Sequence, residues 1–291
     1  MTAPAGSVTI SGAESVASAV TALFVPADRP ERFAKAAAAG AGVVIIDLED
    51  AVAPGAKSAA LTAAVEAVSP PDGGAGVRAL VRVNPQGSGD YDADITLLLS
   101  AARTPGSGLL GIVVPKAEDP AALRQLRSDM PNHLALVPLV ESALGVVNAV
   151  ELARVPGVTR LAFGAIDFAL DIDADGGDRF LDHARAQLVL ASRAAGIAAP
   201  LDSPSTDIKD NVRVAASARL ARNFGFGGKL CIHPAQLAPV QGAFAPTEAD
   251  VEWALSVIGA EGGAAQVDGQ MIDRPVTERA KRILQRAGKE Q

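Results

Sequence analysis

Two acidic residues, Glu141 and Asp167, have the setting that chemistry needs. Each closely follows a short apolar run, and neither has a histidine or cysteine beside it. Two carboxylates without nitrogen or sulfur donors suit a hard cation, Mg²⁺ or Mn²⁺, with water and substrate oxygens filling the remaining positions. Like charges brought close repel unless a cation or a proton intervenes. The alternative assignment is that one carboxylate caps a helix and the other pairs with a basic side chain. Spacing alone leaves both open.

Arg82 ends another apolar run. Burying an arginine is costly unless an anion meets it. It is therefore a clamp for a carboxylate or carbonyl oxygen, or the partner of an internal carboxylate such as Glu49 or Asp50, and the two roles are compatible. Glu49 joins Arg82 as a catalytic candidate, as a carboxylate behind the guanidinium. Alternation puts Asp47 and Glu49 on one side of the chain, and the acids of Asp47-Leu48-Glu49-Asp50 cannot all be buried and charged. The basic run Arg29–Lys35 could receive phosphates at a helix start or be a solvated first turn. His233, before Pro234, is expected to line the site. His133 and His183 are expected on the surface, and Cys231 in the core.

These residues need elements to position them. Candidate strands are Ala22–Pro26, Val43–Leu48, Ala79–Val83, Gly111–Val114, Ala135–Leu139, Arg160–Phe163, Ile197–Ala199 and Lys229–Ile232. Ala-rich stretches of helical spacing lie between them, as in Ala143, Val146, Val147 and Val150. Pro30 opens a helix and Gly40 follows its end, and Asp207 with Asp210 reads as a capping arrangement for another. Strands apolar on both faces belong to parallel sheets covered by helices. Eight such units predict an α/β fold, a (β/α)₈ barrel with a C-terminal helical extension. The competing open sheet wants a Gly-rich turn after its first strand, and Pro26-Ala27-Asp28-Arg29-Pro30 has none. The barrel is expected over 1–245, carrying the metal site. The extension, 246–291, has a helical pattern at Val251–Ile258, a Gly-rich break, and a helix opened by Pro275; it either closes the barrel or completes a neighbouring subunit's site. Gly225, Gly227 and Gly228 precede a strand and read as a helix C-cap and turn, not a dinucleotide loop. Ser69–Gly76 reads as a surface loop.

The 291 residues are 49% hydrophobic and 20% charged, which supports a sizeable core and excludes general disorder. A net charge of -7 argues against nucleic-acid partners. One cysteine permits no intrachain disulfide and no Cys-based zinc site. The start of the chain lacks a signal-peptide layout, and no apolar run approaches the roughly 20 residues that span a bilayer. A cytoplasmic protein is expected.

The strings LFVPADRPERFAKA, VIIDLEDAVAPGAK, VRVNP, VVPKAE, LVESALGVVNA, LAFGAIDFALDI, GKLCIHPAQL and GQMIDRPVTERA, in this order, resemble the citrate lyase β-subunit-like proteins of the HpcH/HpaI aldolase superfamily. The resemblance runs from about Thr21 to about Leu284. It implies a barrel enzyme, often trimeric, that makes or breaks a carbon–carbon bond in a malyl-, citramalyl- or citryl-type 3-hydroxyacyl-CoA, giving acetyl-CoA and a 2-oxo acid. It implies that Glu141 and Asp167 hold Mg²⁺ and that Arg82 contacts the oxo acid or the enolate. Phe24, Arg29, Lys35, Ile232 and His233 match positions that bind or line the CoA. Asp273 matches a general base that a neighbouring subunit supplies. The chain departs from the family pattern at Gly-Ala-Ile-Asp (164–167) and at Pro-Leu-Asp-Ser-Pro (200–204), which leaves the acyl group open. Three other readings remain: an aldolase without CoA, disfavoured because no histidine precedes His133; a thioesterase on the same substrates; and a non-catalytic barrel subunit.

Overall fold

A computed structural model describes residues 11–174, 178–260, 266–267, 270–271 and 273–289. Eight parallel strands form a closed barrel: β1 (Thr21–Pro26), β2 (Val43–Asp47), β3 (Ala79–Arg82), β4 (Leu109–Val114), β5 (Ala135–Val140), β6 (Arg160–Phe163), β7 (Ala198–Asp202) and β8 (Gly228–Cys231). β1 pairs with both β2 and β8, which closes the ring and excludes the open sheet. Helices such as Lys57–Val68, Pro120–Asp129 and Leu181–Ala195 follow the strands. This is the (β/α)₈ fold expected from the alternating apolar runs.

The strands match the expected runs to within a residue or two, apart from β7. Pro200 lacks an N–H and reads as a stop. Its carbonyl nevertheless accepts from the Gly227 N–H (2.9 Å), and β7 continues to Asp202. Two helix readings are corrected. The cap of Asn211–Phe224 is Asp210, which accepts from the N–H groups of Val212 and Arg213, and not Asp207 three residues earlier. The segment after Glu141 is two short helices, Ala143–Val147 and Ala149–Ala153, with Asn148 between them. The Asn148 amide donates to the Glu118 carbonyl (2.8 Å) at this break. The inward face becomes Gly145, Val146, Ala149 and Leu152, while Val147 is left 74% exposed. Ser69–Gly76 is a loop, and Gly225 (φ +102°) caps its helix as expected.

Alternation along each strand decides what faces the barrel axis. The inner cluster includes Ala22 of β1, Val43 and Ile45 of β2, Leu80 of β3, Ala135, Val137 and Leu139 of β5, Ala162 of β6, Leu201 of β7 and Leu230 of β8. Continuing the same two-residue step reaches Phe24, Asp47, Arg82, Glu141, Gly164, Ser203 and Ile232. The strands are apolar through the core and become chemical at their carboxyl ends without changing face.

The amino-terminal mouth is closed by a helix the sequence reading did not assign, Gly12–Ser18, opened by a Ser11–Glu14 capping box. Its Val16 joins the barrel core. A side chain at Gly12 would collide with the Leu110 carbonyl, so glycine is needed for this docking. Arg160, 1% exposed, anchors the helix. Its guanidinium donates to the carbonyls of Val16 (3.0 Å), Ala19 (2.7 Å) and Ala199 (2.6 Å). Burial pushes its pKa down to about 9, which leaves it charged at neutral pH.

The chain divides into two compact units, Met1–Ala243 and Phe244–Gln291. In the second, helices Glu248–Gly259 and Arg274–Arg286 pack through Ala254, Val257, Ala280, Ile283 and Leu284. The Gly-rich break expected there, Gly262, Gly263 and Gly269, lies outside the described residues. No helix among the described residues is long and apolar enough to cross a membrane.

Arg160→Met should cost about 3 kcal/mol of stability, because buried carbonyls lose a charged donor. Urea unfolding of wild type and variant measures this. A midpoint unchanged by the substitution would show that Arg160 does not hold the mouth closed.

Candidate active site

A cavity of about 420 Å³ opens on the carboxyl-end side of the strands. Phe24, Asp47, Arg82, Glu141, Asp167 and Ile232 are among its lining residues. β2 and β3 pair Asp47 with Arg82 in register, so the two side chains leave the same face at the same height. Arg82 is 8% exposed. Its Nε and Nη2 each donate to an Asp47 oxygen at 2.7 Å, a bidentate pair. Its Nη1 lies 2.7 Å from Glu49 Oε2 and 3.3 Å from Asp50 Oδ2. The guanidinium carbon sits 4.9 Å from the centre of the Phe24 ring.

The internal ion pair considered for Arg82 is therefore real, but its main partner is Asp47, with Glu49 and Asp50 completing it. Burial alone would lower the arginine pKa, but the hydrogen bonds to Asp47 and the surrounding carboxylates more than offset that and hold it above its ordinary value. Asp47 and Glu49 are buried, whereas the Asp50 side chain is 58% exposed, so not all three acids are desolvated. Hydrogen bonds take the Nε N–H, one N–H of Nη2 and one of Nη1, so each terminal nitrogen keeps one N–H beyond them. The group can offer a directed hydrogen bond, but its charge is already matched.

Lys116 ties the cluster to Glu141. It adopts φ +48°, a left-handed conformation that costs a non-glycine residue energy. In that conformation its N–H donates to Glu141 Oε1 (2.7 Å), and its ammonium reaches Glu49 Oε1 (3.1 Å). Burial of its carboxyl and the nearby Glu49 charge push the Glu141 pKa up to about 8, with Asp167 adding to the effect. Burial likewise raises Glu49, although Arg82 opposes it. Five carboxylates (Asp47, Glu49, Asp50, Glu141, Asp167) stand against two cations (Arg82, Lys116), an excess of negative charge.

Asp167 projects from the first turn of helix Ala165–Asp171, after the end of β6, and not from the strand end itself. Gly164 separates the two carboxylates. A Cβ there would collide with Glu141 Oε2, so the glycine preserves space beside the carboxylate. Among the described residues no group of three or more His, Cys, Asp or Glu is arranged to hold a metal ion. A two-carboxylate site still fits Mg²⁺, which is commonly bound through one or two carboxylates and keeps several waters or substrate oxygens. The donor set is all oxygen, as a hard cation requires.

The structure thus brings Phe24, Arg82, Glu141, Asp167 and Ile232 onto one cavity. Arg29 and Lys35 are exposed, on and after the turn that follows β1, and do not line it. His233 does not line it either: its Nδ1 accepts from the Ala235 N–H and caps a short turn with Gln236. His133 and His183 are exposed, and Cys231 is buried. Asp273 lies in the second unit, where it is exposed and caps helix Arg274–Arg286 by accepting from the Val276 N–H (3.1 Å). Two site residues were not singled out from the sequence. Asp47 is one acid among three within four residues. Lys116 goes unmarked in the sequence, because its left-handed backbone (φ +48°) has no signal of the kind glycine gives.

Comparison with known proteins adds independent information. Residues 21–234 match the family model described as HpcH/HpaI aldolase/citrate lyase. A citrate lyase subunit beta-like protein of Mycobacterium tuberculosis is 39% identical, over 91% of this chain and 94% of its own. The human mitochondrial citramalyl-CoA lyase is 30% identical, over 90% of this chain and 83% of its own. A crystal structure of CitE from Mycobacterium tuberculosis, in complex with magnesium, acetoacetate and coenzyme A, superimposes with a TM-score of 0.80. It has 36% sequence identity and covers 93% of this chain and 98% of that one.

Gly164→Ala should weaken Mn²⁺ binding about tenfold or more by displacing Glu141, an effect on the scale of lost ligand positioning. Electron paramagnetic resonance of Mn²⁺ titrations reads this directly, with a melting curve to establish folding. Binding as tight as wild type would show that the glycine does not protect a metal site.

Proposed function

This chain belongs to the HpcH/HpaI aldolase/citrate lyase family, and from that premise we propose that it is a Mg²⁺-dependent carbon–carbon lyase. Its substrate is a 3-hydroxyacyl-CoA of the malyl-, citramalyl- or citryl-CoA type, split into acetyl-CoA and a 2-oxo acid. The observation that carries this reading is the convergence of Glu141, Asp167 and Arg82 on one cavity with an excess of negative charge. The magnesium, acetoacetate and coenzyme A in the CitE crystal structure support it. So does the human relative, a citramalyl-CoA lyase.

Glu141 and Asp167 hold the ion in this reading, and the oxo-acid oxygens complete its shell. Bound there, Mg²⁺ supplies Lewis-acid polarisation of the oxo-acid carbonyl. Asp47, Glu49 and Asp50 fix the guanidinium plane of Arg82, so its remaining Nη2 N–H meets a substrate oxygen without reorganising. Lys116 holds Glu141 through its backbone. Asp273 takes the proton from the substrate hydroxyl. The electrons of that O–H bond become the new carbonyl, and those of the carbon–carbon bond pass to the thioester enolate, whose protonation gives acetyl-CoA. Phe24 and Ile232 line the path of the thioester arm, while the exposed Arg29, Lys35 and His233, outside this cavity, meet the more distant part of CoA. Asp273 acts on a neighbouring copy in a homo-oligomer, a trimer. The reaction takes place in the cytoplasm, where the lone buried Cys231 stays reduced.

The decisive assay incubates the protein with a panel of hydroxyacyl-CoA thioesters, with and without Mg²⁺, and identifies products. Acetyl-CoA with a 2-oxo acid supports the lyase. Free CoA with an intact hydroxy diacid would establish a thioesterase instead. Glu141→Ala or Asp167→Ala should abolish metal-dependent turnover, and unchanged rates in Mg²⁺ would remove the metal assignment.

Asp273→Asn should lower kcat about 10²–10⁴-fold, the usual range for losing a general base. Mixing refolded Asp273→Asn and Glu141→Ala subunits should restore part of the activity, because a mixed oligomer contains sites with both intact groups. Mixtures no more active than either variant alone would place the base within its own chain.

A further inference from the structure

A second cavity, of about 740 Å³, lies beside the first and shares Ile166, Ser203 and Pro204 with it. It belongs to the other face of the sheet. Leu201 and Ser203 face the barrel axis, so Asp202 faces outward, in register with the outward Lys229 of β8. The Lys229 ammonium sits 2.7 Å from Asp202 Oδ2 and is 2% exposed. Arg185, from helix Leu181–Ala195, approaches the same carboxylate, with Nε 3.4 Å from Oδ1.

Two buried cations thus share one buried carboxylate. A further acid, Asp182, reaches Arg185 only at 3.7 Å and is itself 45% exposed. Arg185 is 5% exposed on its side chain, yet its Nη1 has no hydrogen-bond partner. A buried guanidinium with unspent donors is expensive, and native structures rarely leave one so. Arg185 and Lys229 both line this cavity, together with the hydroxyl-bearing Ser205 and Thr206. Among the described residues the cavity's lining acid is Asp207, which is paired with the exposed Arg213 at 3.7 Å.

We propose that this cavity is a phosphate-binding subsite, in which an oxyanion takes the unpartnered Arg185 Nη1, with the Asp202-paired Lys229 ammonium and the Ser205 and Thr206 hydroxyls beside it. Charge-assisted pairing of guanidinium with phosphate is the strongest use of such donors. The phosphate is free in solution or carried on an ester. The site does not depend on the lyase reading, since neither Glu141 nor Asp167 takes part. Its shared wall makes it a neighbour of the candidate active site.

The test is phosphate binding by the metal-free full-length protein, followed by isothermal titration calorimetry with inorganic phosphate. Wild type should bind, and Arg185→Met should bind about tenfold or more weakly, the worth of one charged hydrogen bond. Ala216→Glu, on an exposed helical position lining the cavity, should abolish binding with its melting temperature unchanged; it decides the matter if Arg185→Met fails to fold. Competition by CoA but not by dephospho-CoA would identify the nucleotide's phosphate as the occupant. Competition by neither would identify the free anion. No binding by wild type, or undiminished binding by the folded Ala216→Glu protein, would overturn the proposal.

Discussion

Three carboxylates converge on one guanidinium, and the mouth of the barrel depends on that arrangement. Asp47 and Glu49 are buried at the ends of apolar strands, where a lone negative charge would not survive. Arg82 makes their burial tolerable, and they in turn fix its plane. The balance stops at these neighbours. Among the described residues no guanidinium pairs with Glu141 or Asp167, and the Lys116 N–H is the direct donor to Glu141. One half of the site is electrically matched, while in the other burial and the crowding of carboxylates raise the Glu141 pKa to about 8, so that its charged form lacks a cation. A hard cation and the oxygens of an oxo acid are what such a half lacks.

Much of this was legible because a barrel repeats one rule. Strands buried on both faces read as continuous apolar runs, and acids or bases after them mark the functional rim. Arg82, Glu141 and Asp167 could be found by that rule alone. Their partners could not. Asp47, Glu49 and Asp50 occur within four residues, and only the pairing register of β2 and β3 shows which one faces Arg82 squarely. Lys116 depends on a backbone conformation that its residue type does not announce. The mouth-closing helix Gly12–Ser18 was missed because it is one short element with few apolar residues, held largely by tertiary contacts. The exposed Arg29, Lys35 and His233 show another gap: a sequence string can match a binding stretch while its side chains stay outside the cavity the fold builds.

Consecutive residues at the end of β7 look to opposite faces of the sheet. Asp202 faces outward to Lys229 and Arg185, and Ser203 faces inward beside the carboxylate pair. A strand one residue thick is the only barrier, and its alternation keeps two chemically distinct environments apart. The outer one holds cations short of a partner, and the inner one holds anions short of a partner. They cannot neutralise each other because the sheet lies between them.

The contacts made by Arg160 also constrain how the chain assembles. The carbonyls it grips, at Val16 and Ala19, lie more than 140 residues upstream. During synthesis the amino-terminal helix lacks its Arg160 anchor until the sixth strand has emerged. Closing a loop that long is entropically slow, and contacts so distant in sequence delay folding. Sealing the floor of the barrel is therefore a late step, and a nascent chain that stops short of residue 160 would carry an open, exposed core.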